Sequence, residues 1–356
     1  MAIKKNYALP ALVALLIAAL ALAGLSGCKD KEEAEKPPEA PVAAIPAPPE
    51  DKPLIWPYTG LPSVDPTAIT RRPLSVKIEN SEVSRPQMNV SKADIVYETM
   101  VEGGETRLNC IYQSEIPQEV GNVRSARLSD VWIVPQYDAL FMYSGSNSEV
   151  DAGLKRVSIA NIGVTYAQGI YYRSSSARAP HNLYLKLGEA YAAAEKRKLA
   201  TTLDTIKPLA FGEVSETQAA LFKPVIGVTI PYANYSTVTW KWDEAKGVWL
   251  REQAGKAHKD SVTGEQLSCD TVAVMTAKYT VARMKDPAGN PTYDCTLGGT
   301  GKALIFRDGR VIECTWEADA NTPPKFTDQN GDPVYLKPGK TWFEVPPTDK
   351  PAKILE

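Results

Sequence analysis

The chain has 356 residues, enough for two domains plus extensions, and its 44% apolar content supports sizeable cores. A formal charge of −2 excludes the basic excess of a polyanion binder, so nucleic acid is not an expected partner. The two histidines, His181 and His258, stand far apart, and no Cys-x-x-Cys or His-x-x-x-His spacing occurs, so neither a zinc site nor another metal or cofactor is expected.

Lys4 and Lys5 precede an apolar run from Ala8 to Leu25, closed by Ser26 and Gly27. A charged start, an apolar middle and a small-residue exit make residues 1–27 a secretory signal peptide. Leu25-Ser26-Gly27-Cys28 has the form of a bacterial lipobox, in which the chain is cut before the cysteine and its thiol is acylated, with palmitate as a typical chain. One acyl chain binds a membrane marginally and two hold it stably. Cys28 is therefore the expected lipidation site, and the membrane a partner through it. The expected location is the extracytoplasmic face of the cell membrane. Residues 28–53 are Glu, Lys, Ala and Pro with few large apolar side chains, the composition of a disordered, proline-stiffened tether.

Residues 54–207 read as an α/β or α+β domain. Leu74–Ile78 is a short strand. Asp94–Glu102 and Glu105–Tyr112 read as strands joined by a two-residue turn at Gly103-Gly104. Ser125–Val134 reads as a helix, Ala139–Tyr143 as a strand, Asn147–Val157 and Leu183–Leu199 as helices. Residues 208–347 read as a mainly antiparallel β domain of the sandwich or barrel type. Its strands are Val225–Ile230, Thr237–Trp242, Val248–Arg251, Thr271–Thr276, Lys302–Arg307 and Val311–Trp316, with turns at Lys246-Gly247, Asp308-Gly309 and Asn330-Gly331. Five of the seven tryptophans lie in this half, which implies an aromatic core of its own. Residues 348–356 read as a tail.

A series of ordered motifs runs through both halves. Arg72-Pro73-Leu74, Ile78-Glu79-Asn80, Arg85-Pro86-Gln87 and Ala93-Asp94-Ile95-Val96-Tyr97-Glu98 come first. Val101-Glu102-Gly103-Gly104 with Thr106-Arg107, Val123-Arg124-Ser125-Ala126-Arg127 and Ala179-Pro180-His181-Asn182-Leu183-Tyr184 follow. Gly301-Lys302-Ala303, Phe306-Arg307-Asp308-Gly309, Thr315-Trp316, Asp328, Asn330-Gly331, Leu336 and Pro338-Gly339-Lys340-Thr341-Trp342 complete the set. In this order they resemble the YerB-like lipoprotein family, a domain of unknown function (family 3048) in N- and C-terminal parts. The resemblance spans roughly Pro57 to Pro346. It implies an exported two-domain lipoprotein and supplies no activity. Tyr143-Ser144-Gly145-Ser146 stands where the family often has His-Ala-Gly-Gly, so no role resting on that histidine transfers here.

The chemistry must therefore come from the residues. A two-residue turn at Gly103-Gly104 would set Glu102 opposite Glu105 and Met100 opposite Arg107. Glu98, Met100, Glu102, Arg107 and Asn109 would then share one face, and Tyr97, Val101, Leu108, Cys110 and Tyr112 the other. Arg124 and Arg127 would share a helix face. With Arg173, His181 and Asn182 from a later loop, these groups form a candidate polar cleft. Its arginines would clamp a carboxylate or phosphate through paired hydrogen bonds. Glu98 and Glu102 would support them, and histidines exchange protons near neutral pH. The same side chains also fit plain surface ion pairs, worth about 0–1 kcal/mol each.

Three functions follow. The first is non-catalytic binding of an anionic envelope ligand, a cell-wall glycan or peptide, or of an envelope protein. The second is a cell-wall hydrolase or transferase with Glu102 or His181 as acid–base. The third is a scaffold for protein–protein contacts. Asp328-Gln329-Asn330-Gly331-Asp332 lacks the distal glutamate of a calcium loop and reads as a hairpin turn. Ser125 has no Gly-x-Ser-x-Gly setting for a nucleophile, and no phosphate-binding glycine loop occurs. Cys110 is expected as a buried free thiol, and export permits one disulfide among Cys269, Cys295 and Cys314.

Overall fold

The computed structural model describes residues 53–356 apart from Ser176 and Pro287, so the expected signal peptide, Cys28 and most of the expected tether lie outside the described residues. Strands outweigh helices, at 41% against 15%. A mixed sheet of eleven strands runs, from one edge, through Lys223–Pro224, Arg310–Asp319, Gly299–Arg307, Thr271–Met275, Thr341–Val345, Ile95–Met100, Thr106–Tyr112, Leu74–Glu79, Leu140–Met142 and Ala160–Asn161. Thr322–Thr327 pairs beside Arg310–Asp319. Thr341–Val345 lies parallel to both Thr271–Met275 and Ile95–Met100, so the sheet crosses the sequence boundary near 207.

The residue types explain these placements. Leu74–Glu79 and Ile95–Met100 are buried along their whole length, as central strands covered on both faces must be. Arg310–Asp319 alternates buried and exposed residues, the mark of a strand with one wet face. Asp308-Gly309 turns between it and Gly299–Arg307, with φ of 51° and 69°. Two consecutive positive φ values are the hairpin geometry that glycine makes accessible.

A second sheet of six strands, all antiparallel, contains Lys256–Ala257, Val248–Gln253, Thr237–Asp243, Gly227–Pro231, Lys353–Leu355 and Ser268–Cys269. Residues 353–355, expected within a tail, thus add an edge strand to Gly227–Pro231. Trp240, Trp249 and Trp342 are buried in a core that also takes in Leu74, Val76 and Leu108 from the first half. The expected aromatic core exists but is shared, because the large sheet draws strands from both halves.

Two helix expectations change. Ser125–Val134 is helical only from Asp130, and the helix continues to Gln136. Leu183–Leu199 yields a helix at Ala190–Lys196, while Leu183–Leu185 pairs with Tyr171–Arg173 and Val120–Gly121. The helix Ser148–Arg156 has Asn147 as its cap, the side chain accepting from Val150 N at 2.9 Å. Cys110, Cys269, Cys295 and Cys314 are all buried free thiols. Asp328 accepts from the backbone N–H of Asn330 and Asp332, holding the turn that was read there.

Candidate functional site

Strand register decides which side chains meet. Met100 pairs with Thr106, Thr99 with Arg107 and Glu98 with Leu108, while Val101 N–H donates to Glu105 O. The turn therefore contains three residues, Glu102–Gly104, with positive φ at Gly103 and Gly104, rather than two. A one-residue change of register moves a side chain to the opposite face. Arg107 thus lies across from Thr99, and Glu98 faces away from it with Thr106 and Leu108. The expected grouping of Glu98 with Arg107 does not form.

Arg107 instead meets Arg124 and Arg127 by another route. Asp130, at the start of its helix, is buried against Lys77, whose Nζ donates to Oδ1 at 2.8 Å; Asn109 Nδ2 donates to the same oxygen at 3.0 Å. Asp130 Oδ2 accepts from Arg127 N at 2.7 Å. Arg124 N–H donates to Lys77 O, and Val123 bridges Ile78. These bonds hold residues 123–127 extended along the sheet rather than helical. Val123 and Ala126 turn inward and are buried, leaving Arg124 and Arg127 toward the open side.

The result is a cavity of about 510 Å³. Arg107, Arg124, Arg127, Glu102 and His181 line it, joined by Glu79, Ser81, Glu105, Thr106 and Asp286. Five of the eight sequence-derived binding candidates share this space. Glu98 is absent because of register. Arg173 donates to Asn182 Oδ1 at 2.7 Å, and Asn182 Nδ2 donates to Ser174 O and Ala177 O, so this pair holds its own loop.

The cavity contains two ion-pair groups and one less-satisfied cation. Arg127 donates twice to Glu102 Oε2, from Nε at 2.8 Å and Nη2 at 2.7 Å. Glu79 Oε1 accepts from His181 Nδ1 at 2.8 Å and Ser81 Oγ at 2.9 Å, with Arg124 Nε at 3.3 Å. Glu79 Oε2 is buried without a hydrogen-bond partner among the described residues. Arg107 Nη1 donates to Ser125 O at 2.8 Å, and Arg107 forms no ion pair among the described residues. Burial first, then the Arg127 guanidinium, pushes Arg107 down to about 9, against the pull of Glu102. It remains a cation at neutral pH, with Glu102 and Glu79 acting on it without a direct contact. Burial pushes Glu105 upward, with Glu79 acting in the same sense.

Sequence alone does not mark Glu79 as a site residue, although it sits in the Ile78-Glu79-Asn80 motif at the end of a core strand. A charged residue closing a fully buried strand was the available signal.

A second polar cluster lies on the other face of the sheet. Arg251 Nη2 is 2.7 Å from Glu98 Oε2, and Nη1 is 3.1 Å from Glu344 Oε1, all fully buried. The Arg251 guanidinium sits 4.6 Å from the Trp342 ring centre and 5.4 Å from that of Trp240. Trp240 Nε1 and Tyr232 OH donate to Glu344 at 2.8 and 3.0 Å. Burial, then Glu98, pushes the Glu344 carboxyl up to about 8. Arg251 Nε donates to His258 Nδ1 at 2.9 Å, so His258 carries its proton on Nε2 and donates to Gln87 Oε1 at 2.6 Å. Sequence alone does not group Arg251, His258 and Gln87, because His258 and Gln87 stand 171 positions apart.

Fold and site together define a strand-rich α+β protein of two sequence domains, with a cavity whose arginines all come from the first. Residues 58–200 match "Protein of unknown function (DUF3048) N-terminal domain" and residues 228–343 match the corresponding C-terminal domain. The chain belongs to this family, as its ordered motifs implied. It is 29% identical over 312 residues to "Putative lipoprotein YerB" of Bacillus subtilis (strain 168), covering 86% of this chain and 90% of that protein. Its fold is similar to the crystal structure of the YerB protein from Bacillus subtilis, with a TM-score of 0.74 at 28% identity. That match covers 85% of this chain and all of the solved one. No helix among the described residues is long and apolar enough to cross a membrane.

Proposed function

We propose that the chain is an extracytoplasmic lipoprotein, anchored through Cys28, whose arginine cavity binds a carboxylate-bearing glycan or peptide of the cell envelope. The lipobox and the named likeness to a lipoprotein support the anchor. The observation that carries the binding reading is Arg107. It is a guanidinium without a direct ion pair among the described residues, beside Arg124 and Arg127, in a cavity of about 510 Å³. An entering carboxylate accepts paired N–H donors from it. The partnerless Glu79 Oε2 offers an acceptor to a hydroxyl or amide on the same ligand.

The test is equilibrium binding of purified cell-wall fragments to the parent chain and to Arg124→Ala. Binding by the parent and its loss in a folded Arg124→Ala chain support the reading. Equal binding by both chains removes it. Mass spectrometry of the cell-derived protein checks the anchor: an acylated N-terminal Cys28 is expected, and an intact leader without acyl chains contradicts it.

A second reading rests on the His181–Glu79 contact of 2.8 Å, which orients an imidazole at the cavity wall as an acid–base group requires. It predicts product release from wall fragments that stops in His181→Gln while binding persists. Binding with no turnover in the parent leaves the first reading alone.

A further inference from the structure

Between the loop at Glu82–Pro86 and the turn at Gln253–Lys259 lies another recess, of about 310 Å³. It shares no lining residue with the arginine cavity. Gln253 lines it and is itself 3% exposed. Gln253 Oε1 accepts from Arg251 Nη2 at 2.7 Å and from Asn80 Nδ2 at 3.0 Å. Reversing the amide would set its NH2 group against those two donors, so its orientation is determined. Nε2 is thereby left as a buried donor without a partner among the described residues. Arg85, also in the lining, has a buried Nη1 without a partner among the described residues. His258 adds no free donor, since its only N–H is directed to Gln87.

The charge around the recess matches these donors. Arg85, Lys256 and Lys259 face one carboxylate, Glu82. That carboxylate is 3.9 Å from Lys256, and both groups are exposed, so water screens the pair. Among the lining residues the excess is about two positive charges in ordinary charge states, with Arg251, Glu105 and Glu98 acting on Arg85 from beyond the lining.

We propose that this recess binds a phosphoryl group. Arg85 supplies the guanidinium donors, Gln253 Nε2 a neutral one, and Lys256 and Lys259 balance the second negative charge. A carboxylate carries one charge and two acceptor oxygens in a plane. A phosphoryl group carries up to two charges and presents oxygens in several directions, which suits donors on two loops and an amide at the floor. The group belongs either to a soluble phosphate ester or to a lipid headgroup.

The experiment titrates the full chain with inorganic phosphate at constant ionic strength, with chloride as the reference anion. Saturable binding is expected, weakened about tenfold or more in Arg85→Gln, in line with loss of a charge-assisted contact. Lys259→Glu, an exposed change that leaves the core untouched, should weaken it as well. An identical response to chloride, or parent-like binding by both variants, overturns the proposal. Loss of phosphate binding in Arg107→Ala but not in Arg85→Gln also overturns it, by placing the anion in the other cavity. Glycerol phosphate and phosphatidylglycerol vesicles then separate the sources. Competition by the ester alone assigns a soluble ligand, and Arg85-dependent vesicle binding assigns a headgroup.

Discussion

Arg107 makes one hydrogen bond, to Ser125 O, and lies beside another guanidinium. Removing it costs that bond, about 1 kcal/mol, and relieves repulsion from Arg127. Arg107→Ala should therefore shift the melting temperature little while weakening a carboxylate ligand at least about tenfold. Thermal unfolding and equilibrium titration measure the two effects separately. A large loss of stability would make Arg107 a structural residue. Much of the cavity was legible at this scale, because arginine and glutamate within short strand-end motifs are unusual for plain packing. Glu98 was misplaced because side-chain facing depends on register, which residue type does not encode.

At the scale of elements, the Gly103-Gly104 turn is the informative case. Glycines between two apolar runs announced a turn, but not whether it holds two residues or three. That one residue reassigns every contact of the hairpin. Both glycines have positive φ, where a Cβ costs roughly 1–2 kcal/mol. A Cβ on Gly103 would meet only Asn290 Nδ2 at 3.9 Å. One on Gly104 would lie 3.0 Å from Ala233 Cβ and 3.1 Å from Tyr235 OH. Gly104→Ala should thus destabilise more than Gly103→Ala in denaturant unfolding, and equal losses would contradict this packing. The helix read from Ser125 starts late for a related reason. Lys77 and Asp130 pair at long range and tie down the preceding residues in a way no local propensity anticipates.

The whole molecule is joined through Arg251, which binds Glu98 of the large sheet and Glu344 beside it from a strand of the second sheet. Arg251→Ala would leave two buried carboxylates without their cation. A loss of about 3–5 kcal/mol is expected in denaturant unfolding. Glu344 also gives stability a pH dependence. Its carboxyl is raised from 4.5 to about 8, so the unfolded chain releases a proton that the folded one retains. Its stabilising contribution is complete below about pH 4.5 and is lost as pH rises through about 8. Asp94, raised to about 6 by burial, acts in the same direction at lower pH. Glu344→Gln should therefore flatten the fall in stability between about pH 6 and 8, measured by denaturant unfolding across that range. An unchanged slope would exclude Glu344 as its source. Alternation and turns made the strands legible, but not the sheet that links both halves, because strand order depends on pairings hundreds of residues apart.

The central claim is that the arginine cavity recognises a carboxylate. Titrating the chain with wall fragments in two forms, native and with their carboxylates converted to amides, tests it most directly. Amidation is expected to remove binding about as completely as Arg107→Ala does. Equal affinity for the native and amidated fragments would contradict it.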